Sequence, residues 1–195
     1  MFRGVPFMIS TRRRIASGLL AAAFLATAPI SAVLGQTDPG ANATNLGTYN
    51  KTWTAWQGVD LDGGLVCYIE ANPDSSEPTQ VGGKPINRDP PKFLVVHRKA
   101  AGKTNEAQTL IGYPLSTDLQ RQPTALIDGH EFNMLGEKNA AWLAQETDQP
   151  GFVAAMKAGT KLVVKGMSLR GTVTTDTYSL GGVTAALAKI DEACR

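Results

Sequence analysis

The stretch Thr124-Ala-Leu-Ile-Asp-Gly-His-Glu-Phe-Asn-Met-Leu135 decides the fold class of this chain. Runs rich in apolar residues flank its central Asp128-Gly129, and Asp-Gly between two such runs is a strong signal of a tight hairpin turn. The stretch therefore predicts two antiparallel strands joined by a two-residue loop.

Similar strand signals recur on both sides of this hairpin. A later hairpin is predicted about Arg170-Gly171, and an earlier one is predicted across the turn Asp60-Leu-Asp-Gly-Gly64. Further strands are predicted at Phe93–His97 and Ala107–Tyr113, and Ala140–Ala144 is predicted as a short strand or a turn. Residues 72–91 hold five prolines and predict a surface loop.

Two short helices complete the pattern. Residues 150–159 begin with Pro150 and end with Gly159, the usual asymmetry of helix ends. Residues 180–193 form the second, with Ser179 as the expected cap and three apolar residues on one face: Val183, Leu187 and Ile190. We predict a single mostly β domain, an antiparallel β-sandwich or partly open barrel with two short helices.

The first 35 residues have the three parts of a secretory signal peptide. Four arginines make the start basic, an apolar run covers residues 15–28, and small residues before the end suit cleavage after Gly35, with Ala32 as the alternative. The run is shorter than the roughly 20 residues of a membrane-spanning helix. We therefore expect a removed leader (1–35), a flexible segment (36–47) and one domain (48–195), with no transmembrane anchor in the mature chain.

Removal of the leader changes the charge of the chain. The full sequence has 19 Lys and Arg against 17 Asp and Glu, and the loss of four arginines leaves 15 against 17, a net charge of −2. A near-neutral domain without a basic stripe gives no reason to expect a nucleic-acid partner. The predicted location is the periplasm or the exterior of the cell.

Two cysteines remain in the mature chain, Cys67 and Cys194. In an oxidising compartment an even number of cysteines favours a disulfide. The chain has neither a C-x-x-C redox pair nor metal-ligand spacing among its Cys and His residues. We predict a structural disulfide that holds the end of the last helix to an early strand.

No residue pattern predicts catalysis. His97 is expected to leave its strand into solvent, and His130 follows an exposed turn. No Gly-x-Ser-x-Gly elbow accompanies either histidine. Asp60 and Asp62 lack the later carboxylates of a calcium loop, so a tight turn is the better interpretation. We expect a protein without enzymatic activity, cofactor or metal.

Trp142 and Arg170 are the candidate binding residues. An indole offers a flat aromatic face and a guanidinium offers a fork of donors. Against this, Trp142 lies beside alanines, as core aromatics do, and Arg170 lies at a turn, where arginine is usually solvated. In an alternative hypothesis the chain is a small-ligand or glycan-binding β-sandwich module, with Trp142, Tyr113 and Tyr178 as stacking surfaces.

Several short motifs follow one another along the chain: Cys67-Tyr68, Ile111-Gly-Tyr-Pro114, Ala141-Trp142, Ala155-Met-Lys-Ala-Gly159, Ser168-Leu-Arg-Gly-Thr172 and Asp176-Thr-Tyr-Ser-Leu180. In this order, with an Ala-rich helix and a Cys at the end, the sequence resembles the invasion-associated locus B family of alphaproteobacteria. The resemblance covers nearly all of the mature chain and implies a β-rich periplasmic or surface-exposed protein. It supplies no catalytic residues. The expected role is virulence-associated, supporting envelope or host-interaction functions by binding an envelope or host protein.

Overall fold

The structure is a computed structural model that describes residues 43–78, 80–81 and 84–195. The predicted signal peptide (1–35) and residues 36–42 of the predicted flexible segment lie outside the described residues. The strands are β1 (Thr44–Tyr49), β2 (Trp53–Val59), β3 (Leu65–Ala71), β4 (Ser75–Glu77), β5 (Gln80–Val81), β6 (Lys84–Pro85), β7 (Lys92–Arg98), β8 (Lys103–Leu110), β9 (Thr124–Ile127), β10 (His130–Glu137), β11 (Ala140–Leu143), β12 (Lys161–Met167) and β13 (Val173–Ser179). The helices are α1 (Gln149–Ala158) and α2 (Val183–Ala193).

Eleven strands form one open antiparallel sheet in the order β1-β2-β3-β7-β8-β11-β10-β9-β12-β13-β4, and β5 pairs separately with β6. The three predicted hairpins are all present, as β2–β3, β9–β10 and β12–β13. The prediction of a mostly β domain with two helices is therefore confirmed.

Strand β10 divides the sheet into two halves. Its first part, residues 130–133, pairs with β9, and its second part, residues 134–137, pairs with β11. The halves pack face to face, because Phe93 on β7 contacts Tyr178 on β13 although these strands are not neighbours in the sheet. The arrangement is a partly open β-sandwich whose core lies between the halves.

Both helices cover this core. Phe152 of α1 lies between two strands, with ring centroids 5.8 Å from Phe93 and 4.9 Å from Phe132. The predicted apolar face of α2 is confirmed, since Val183, Leu187 and Ile190 are all buried. Helix α2 packs on β1, β2 and β3, and α1 packs on β8.

The start of α2 differs from the prediction. The residue that precedes the helix is Gly182, with φ of +90°, and the Ser179 hydroxyl instead accepts a hydrogen bond from the Gly181 amide at 3.2 Å. A glycine is needed because the Cβ of any other residue at 182 would lie 2.8 Å from the Tyr49 carbonyl oxygen. The helix therefore starts three residues later than expected.

Two predicted loops also contribute strands. Residues 44–47 of the predicted flexible segment lie in β1, which pairs with β2 and has a bulge between Asn45 and Gly47. In the predicted loop 72–91, β4 pairs with β13 at the far edge of the sheet. Bulges tolerate glycine and edge strands tolerate flanking prolines, so turn-forming residues do not exclude pairing here.

Candidate functional site

A cavity of about 420 Å³ opens beside Trp142. It lies where the β7–β8 turn, the start of β8, the end of β11 and the start of α1 meet. Its lining residues are Gly102, Lys103, Thr104, Glu106, Trp142, Leu143, Ala144, Glu146, Gln149 and Pro150. The volume falls within the roughly 300–1,000 Å³ of small-molecule sites in proteins.

The Trp142 side chain is fixed in orientation. Trp142 on β11 lies directly opposite Gln108 on β8, and its indole Nε1 donates a hydrogen bond to Oε1 of Gln108 at 3.0 Å. Gln108 is buried while Trp142 is only half-buried. Trp142 is therefore not a fully buried core aromatic: its indole N–H is anchored, and the residue is one of those that line the cavity.

The charged side chains around the cavity are paired. Lys103 contacts Glu146 and Arg98 contacts Glu106. The Lys103 and Glu146 side chains are 45% and 76% exposed, so their pair contributes at most about 1 kcal/mol to stability and can be rearranged by a ligand. The rim thus offers both donors and acceptors with little net charge.

Gln149 joins α1 to the sheet below the cavity. Its Oε1 accepts a hydrogen bond from the Ala107 amide at 3.0 Å. Gln149 also lines the cavity, and its side-chain amide carries two N–H donors besides this acceptor. Thr104 adds a hydroxyl that can donate or accept.

Arg170 does not belong to this site. It is exposed in the β12–β13 turn, three strands further along the sheet than Trp142, and it is not among the residues that line the cavity. The structure therefore does not bring the two candidate binding residues together. Arg170 lies instead between two exposed apolar side chains, Leu169 at 61% and Val173 at 46% exposure.

The tyrosines proposed as stacking surfaces are buried, so this part of the alternative hypothesis is wrong. Tyr178 is fully buried against Phe93. Tyr113 is 9% exposed and its hydroxyl lies 2.7 Å from the Thr174 hydroxyl oxygen. Burial raises the pKa of both phenols. Tyr178 points inward by the alternation of β13, and Tyr113, which follows β8, packs into the same core.

His97 is also buried, which corrects the expectation that it leaves the sheet into solvent. It lies within β7, opposite Cys67 on β3, and its Nε2 is 3.3 Å from Oδ1 of Asp191 on α2. Burial lowers the pKa of His97, Asp191 opposes this shift and Lys157 adds to it. The strand continues two residues beyond its apolar run, to Arg98.

His130 is exposed, as predicted, with its ring 4.6 Å from that of Phe132. In the described part of the chain neither histidine is hydrogen-bonded to a serine. Likewise, no three His, Cys, Asp or Glu side chains of the described residues are grouped so that they could hold a metal ion.

Cys67 and Cys194 are joined by a disulfide, with their Cα atoms 6.0 Å apart. Two hydrogen bonds reinforce the contact: Gln57 Nε2 donates to the Ala193 carbonyl at 3.0 Å and Lys99 Nζ donates to the Cys194 carbonyl at 3.2 Å. Together they bind the end of α2 to β2 and β3.

Sequence reasoning missed a buried ion pair between Arg88 and Asp176. Arg88 Nη1 donates to Oδ2 of Asp176 at 3.0 Å, and Nη2 donates to Oδ1. The side chains are only 8% and 1% exposed. One signal could have found it: Asp176 shares the inward parity of Thr174 and Tyr178 on β13, and an inward carboxylate requires a buried partner.

The fold and the site define an open antiparallel β protein whose last helix is bound to the sheet by a disulfide. The family model of the Invasion associated locus B (IalB) protein matches residues 75–191, which is more than half of the chain. The chain therefore belongs to the IalB family, and the resemblance found in the sequence is confirmed.

A crystal structure of invasion associated protein B from Bartonella henselae is similar to the chain. The TM-score is 0.44 and the sequence identity is 12%, over 77% of this chain and 97% of that one. No curated protein matches the chain. Among the described residues, neither helix has the length and apolar character needed to cross a membrane.

Proposed function

We propose that this IalB-family chain is an exported, non-enzymatic protein that acts in the periplasm or outside the cell by binding an envelope or host protein. The Cys67–Cys194 disulfide carries the proposal. Disulfides form and persist in oxidising compartments and are rare in the bacterial cytosol. The basic, then apolar, sequence of residues 1–35 supports the same location.

The positions of the histidines support a binding role. His97 is buried against Asp191, and His130 lies at an exposed hairpin. General-base catalysis requires a base within about 3 Å of the group that it deprotonates. Neither imidazole has such a hydroxyl partner within the described ranges.

The location is tested by cell fractionation and by mass spectrometry of unreduced peptides. We expect a periplasmic or secreted chain that begins at Gln36 and yields a linked peptide containing Cys67 and Cys194. Cytosolic protein with both thiols free would contradict the proposal.

The β12–β13 turn is the proposed contact for the protein partner, because Arg170 is flanked there by the exposed Leu169 and Val173. Arginine is one of the residue types that most often anchor protein interfaces. A pull-down from periplasm or from host-cell surface protein should recover one partner in stoichiometric amount. The double variant Leu169→Ser/Arg170→Ala should lose it.

The matched control for this pull-down is Leu61→Ser. Leu61 is 83% exposed in the β2–β3 turn, so the substitution removes a similar surface side chain from a different hairpin. Equal loss of the partner in the Leu61 and Leu169/Arg170 variants would contradict the assignment of the contact.

A second candidate function is favoured by the cavity beside Trp142, which suits a small ligand. A ligand that binds only the folded chain stabilises it by about 2.7 kcal/mol at 100 times its Kd. Saturable stabilisation in a thermal-shift screen of cell-wall sugars and metabolites would support this function. If no compound stabilises the chain and a protein partner is captured, the protein-binding function is supported instead.

A further inference from the structure

The Trp142 cavity has the chemistry of a saccharide site, and we propose that it binds a neutral sugar. The proposal rests on the second candidate function above and names its ligand. A sugar ring has an apolar face of C–H groups and a rim of hydroxyls. It therefore needs a flat apolar surface beside closely spaced donors and acceptors.

Trp142 supplies the flat surface. Its Nε1 is held by Gln108 Oε1 at 3.0 Å, so the indole cannot rotate freely and little side-chain entropy is lost when a ligand stacks on it. Gln108 is itself only 1% exposed, which makes it a rigid anchor.

The rim supplies the polar groups. Thr104, the amide of Gln149, the ammonium of Lys103 and the carboxylate of Glu146 all line the same cavity. Hydroxyl groups donate to carboxylates and accept from ammonium and amide groups, so one hydroxyl-rich ligand can use all of them.

The charge pairing favours a neutral ligand over an ionic one. The carboxylates of Glu146 and Glu106 are each paired with a cation, Lys103 and Arg98 respectively. A cationic ligand would have to displace a cation from a carboxylate, and an anionic ligand would approach two carboxylates. A neutral sugar neither displaces a cation nor brings a negative charge close to the carboxylates.

The cavity volume of about 420 Å³ lies in the lower part of the range of small-molecule sites. This size fits one or two sugar units, either as a short saccharide or as the end of a longer glycan. The ligand class is therefore a neutral mono- or disaccharide unit.

The test is isothermal titration of the full mature chain with neutral disaccharides: an N-acetylglucosamine dimer, cellobiose and maltose. We expect saturable binding of at least one of them, with a Kd that changes little between 50 mM and 500 mM NaCl because no net charge is neutralised. The de-acetylated glucosamine dimer (cationic) and a galacturonic acid dimer (anionic) should bind several-fold more weakly.

Two variants locate the binding. Trp142→Ala should raise the Kd up to about tenfold, because the sugar loses its flat stacking surface. Thr104 is exposed, so Thr104→Val keeps the shape of the side chain, removes its hydroxyl and should raise the Kd several-fold. Leu61→Ser changes an exposed residue outside the cavity and should leave the Kd unchanged.

Each other outcome overturns the inference in a recognisable way. Binding of none of the neutral sugars, or binding that is equal in the Thr104→Val and wild-type chains, removes the saccharide site. Tighter binding of a charged dimer would assign the cavity to an ionic ligand instead. Neither result affects the export and partner-binding proposal, which is tested by fractionation and pull-down.

Discussion

Two distant segments of this chain are fastened to the sheet by different chemistry. The C-terminal fastening is the Cys67–Cys194 disulfide, which holds α2 to β3. The loop fastening is the Arg88–Asp176 ion pair, which holds the 72–91 segment to β13. The first bond is covalent and depends on the redox state of the compartment. The second is electrostatic and depends on the exclusion of water.

The loop fastening involves more buried polar groups that depend on one side chain. Arg88 Nη1 also donates to the Ile111 carbonyl at 3.2 Å and to the Thr174 hydroxyl at 3.3 Å, so one guanidinium satisfies several buried acceptors. A buried ion pair stabilises a fold little compared with an apolar replacement, but removal of one partner leaves an uncompensated charge. The two fastenings should therefore fail differently when they are broken.

The largest loss is expected for Arg88→Met. The variant leaves the carboxylate of Asp176 buried without a counter-ion, which should lower the free energy of unfolding by about 3–5 kcal/mol. The measurement is urea unfolding at pH 7. The double variant Arg88→Met/Asp176→Leu removes both charges and should lie much closer to wild type. A double variant as unstable as the single one would show that the loop is held by other contacts.

The next largest loss is expected when the C-terminal fastening is broken. Cys67→Ser/Cys194→Ser should lower the free energy of unfolding by about 2–4 kcal/mol, because the unfolded chain is no longer constrained by a long loop. Dithiothreitol should destabilise the wild type by a similar amount and leave the double variant unchanged. A wild type indifferent to reductant would contradict the stabilising role of the disulfide.

A smaller loss is expected for Gly182→Ala at the start of α2. The added Cβ would lie 2.8 Å from the Tyr49 carbonyl oxygen, at a residue with φ of +90°. The matched control is Gly129→Ala, where φ is +91° but no atom lies within 4 Å of the added Cβ. The control should lose only the roughly 1–2 kcal/mol of left-handed backbone strain, and Gly182→Ala should lose more. Equal losses in thermal unfolding would mean that α2 shifts freely to relieve the contact.

The smallest effect concerns pH, through His97 beside the C-terminal fastening. Burial lowers its pKa below the ordinary 6.5 in the folded chain. The unfolded chain therefore binds the proton more readily, so stability is lost as the pH falls below about 6.5 and regained as it rises. His97→Gln should flatten the profile of unfolding free energy between pH 7 and pH 5.

The control for the pH profile is His130→Gln, which removes one imidazole from the surface. It should retain the wild-type slope. If the two variants flatten the profile equally, the slope does not come from burial of His97.

The elements of this fold were predictable where local chemistry is decisive. Asp128-Gly129 gave a hairpin in the structure, and the apolar face of α2 is buried as its spacing predicts. Prediction was less successful at the sheet edges. Strands β1 and β4 are built from Gly, Asn and Pro-flanked residues, and they exist because a long neighbouring strand offers unpaired backbone groups to each.

The candidate site was predictable only in part. Trp142 was chosen for its chemical type, and it lines a cavity. Its partners Lys103, Glu146 and Gln149 carry no signal in the sequence, since common polar residues form a site only when separate elements place them together. Arg170 was chosen by the same reasoning, but it lies in the β12–β13 turn and does not line the cavity.

The sequence by itself determined the class of the chain, since periodicity, turn residues and the ordered motifs depend on neighbouring positions. It also provided the even pair of cysteines. Only the tertiary structure decided which side chains are buried and which meet: Arg88 with Asp176, His97 with Asp191, and Trp142 with its cavity. The physical reason is that burial and charge pairing depend on distances in space, which the packing of the two halves of the sheet sets for residues far apart in the chain.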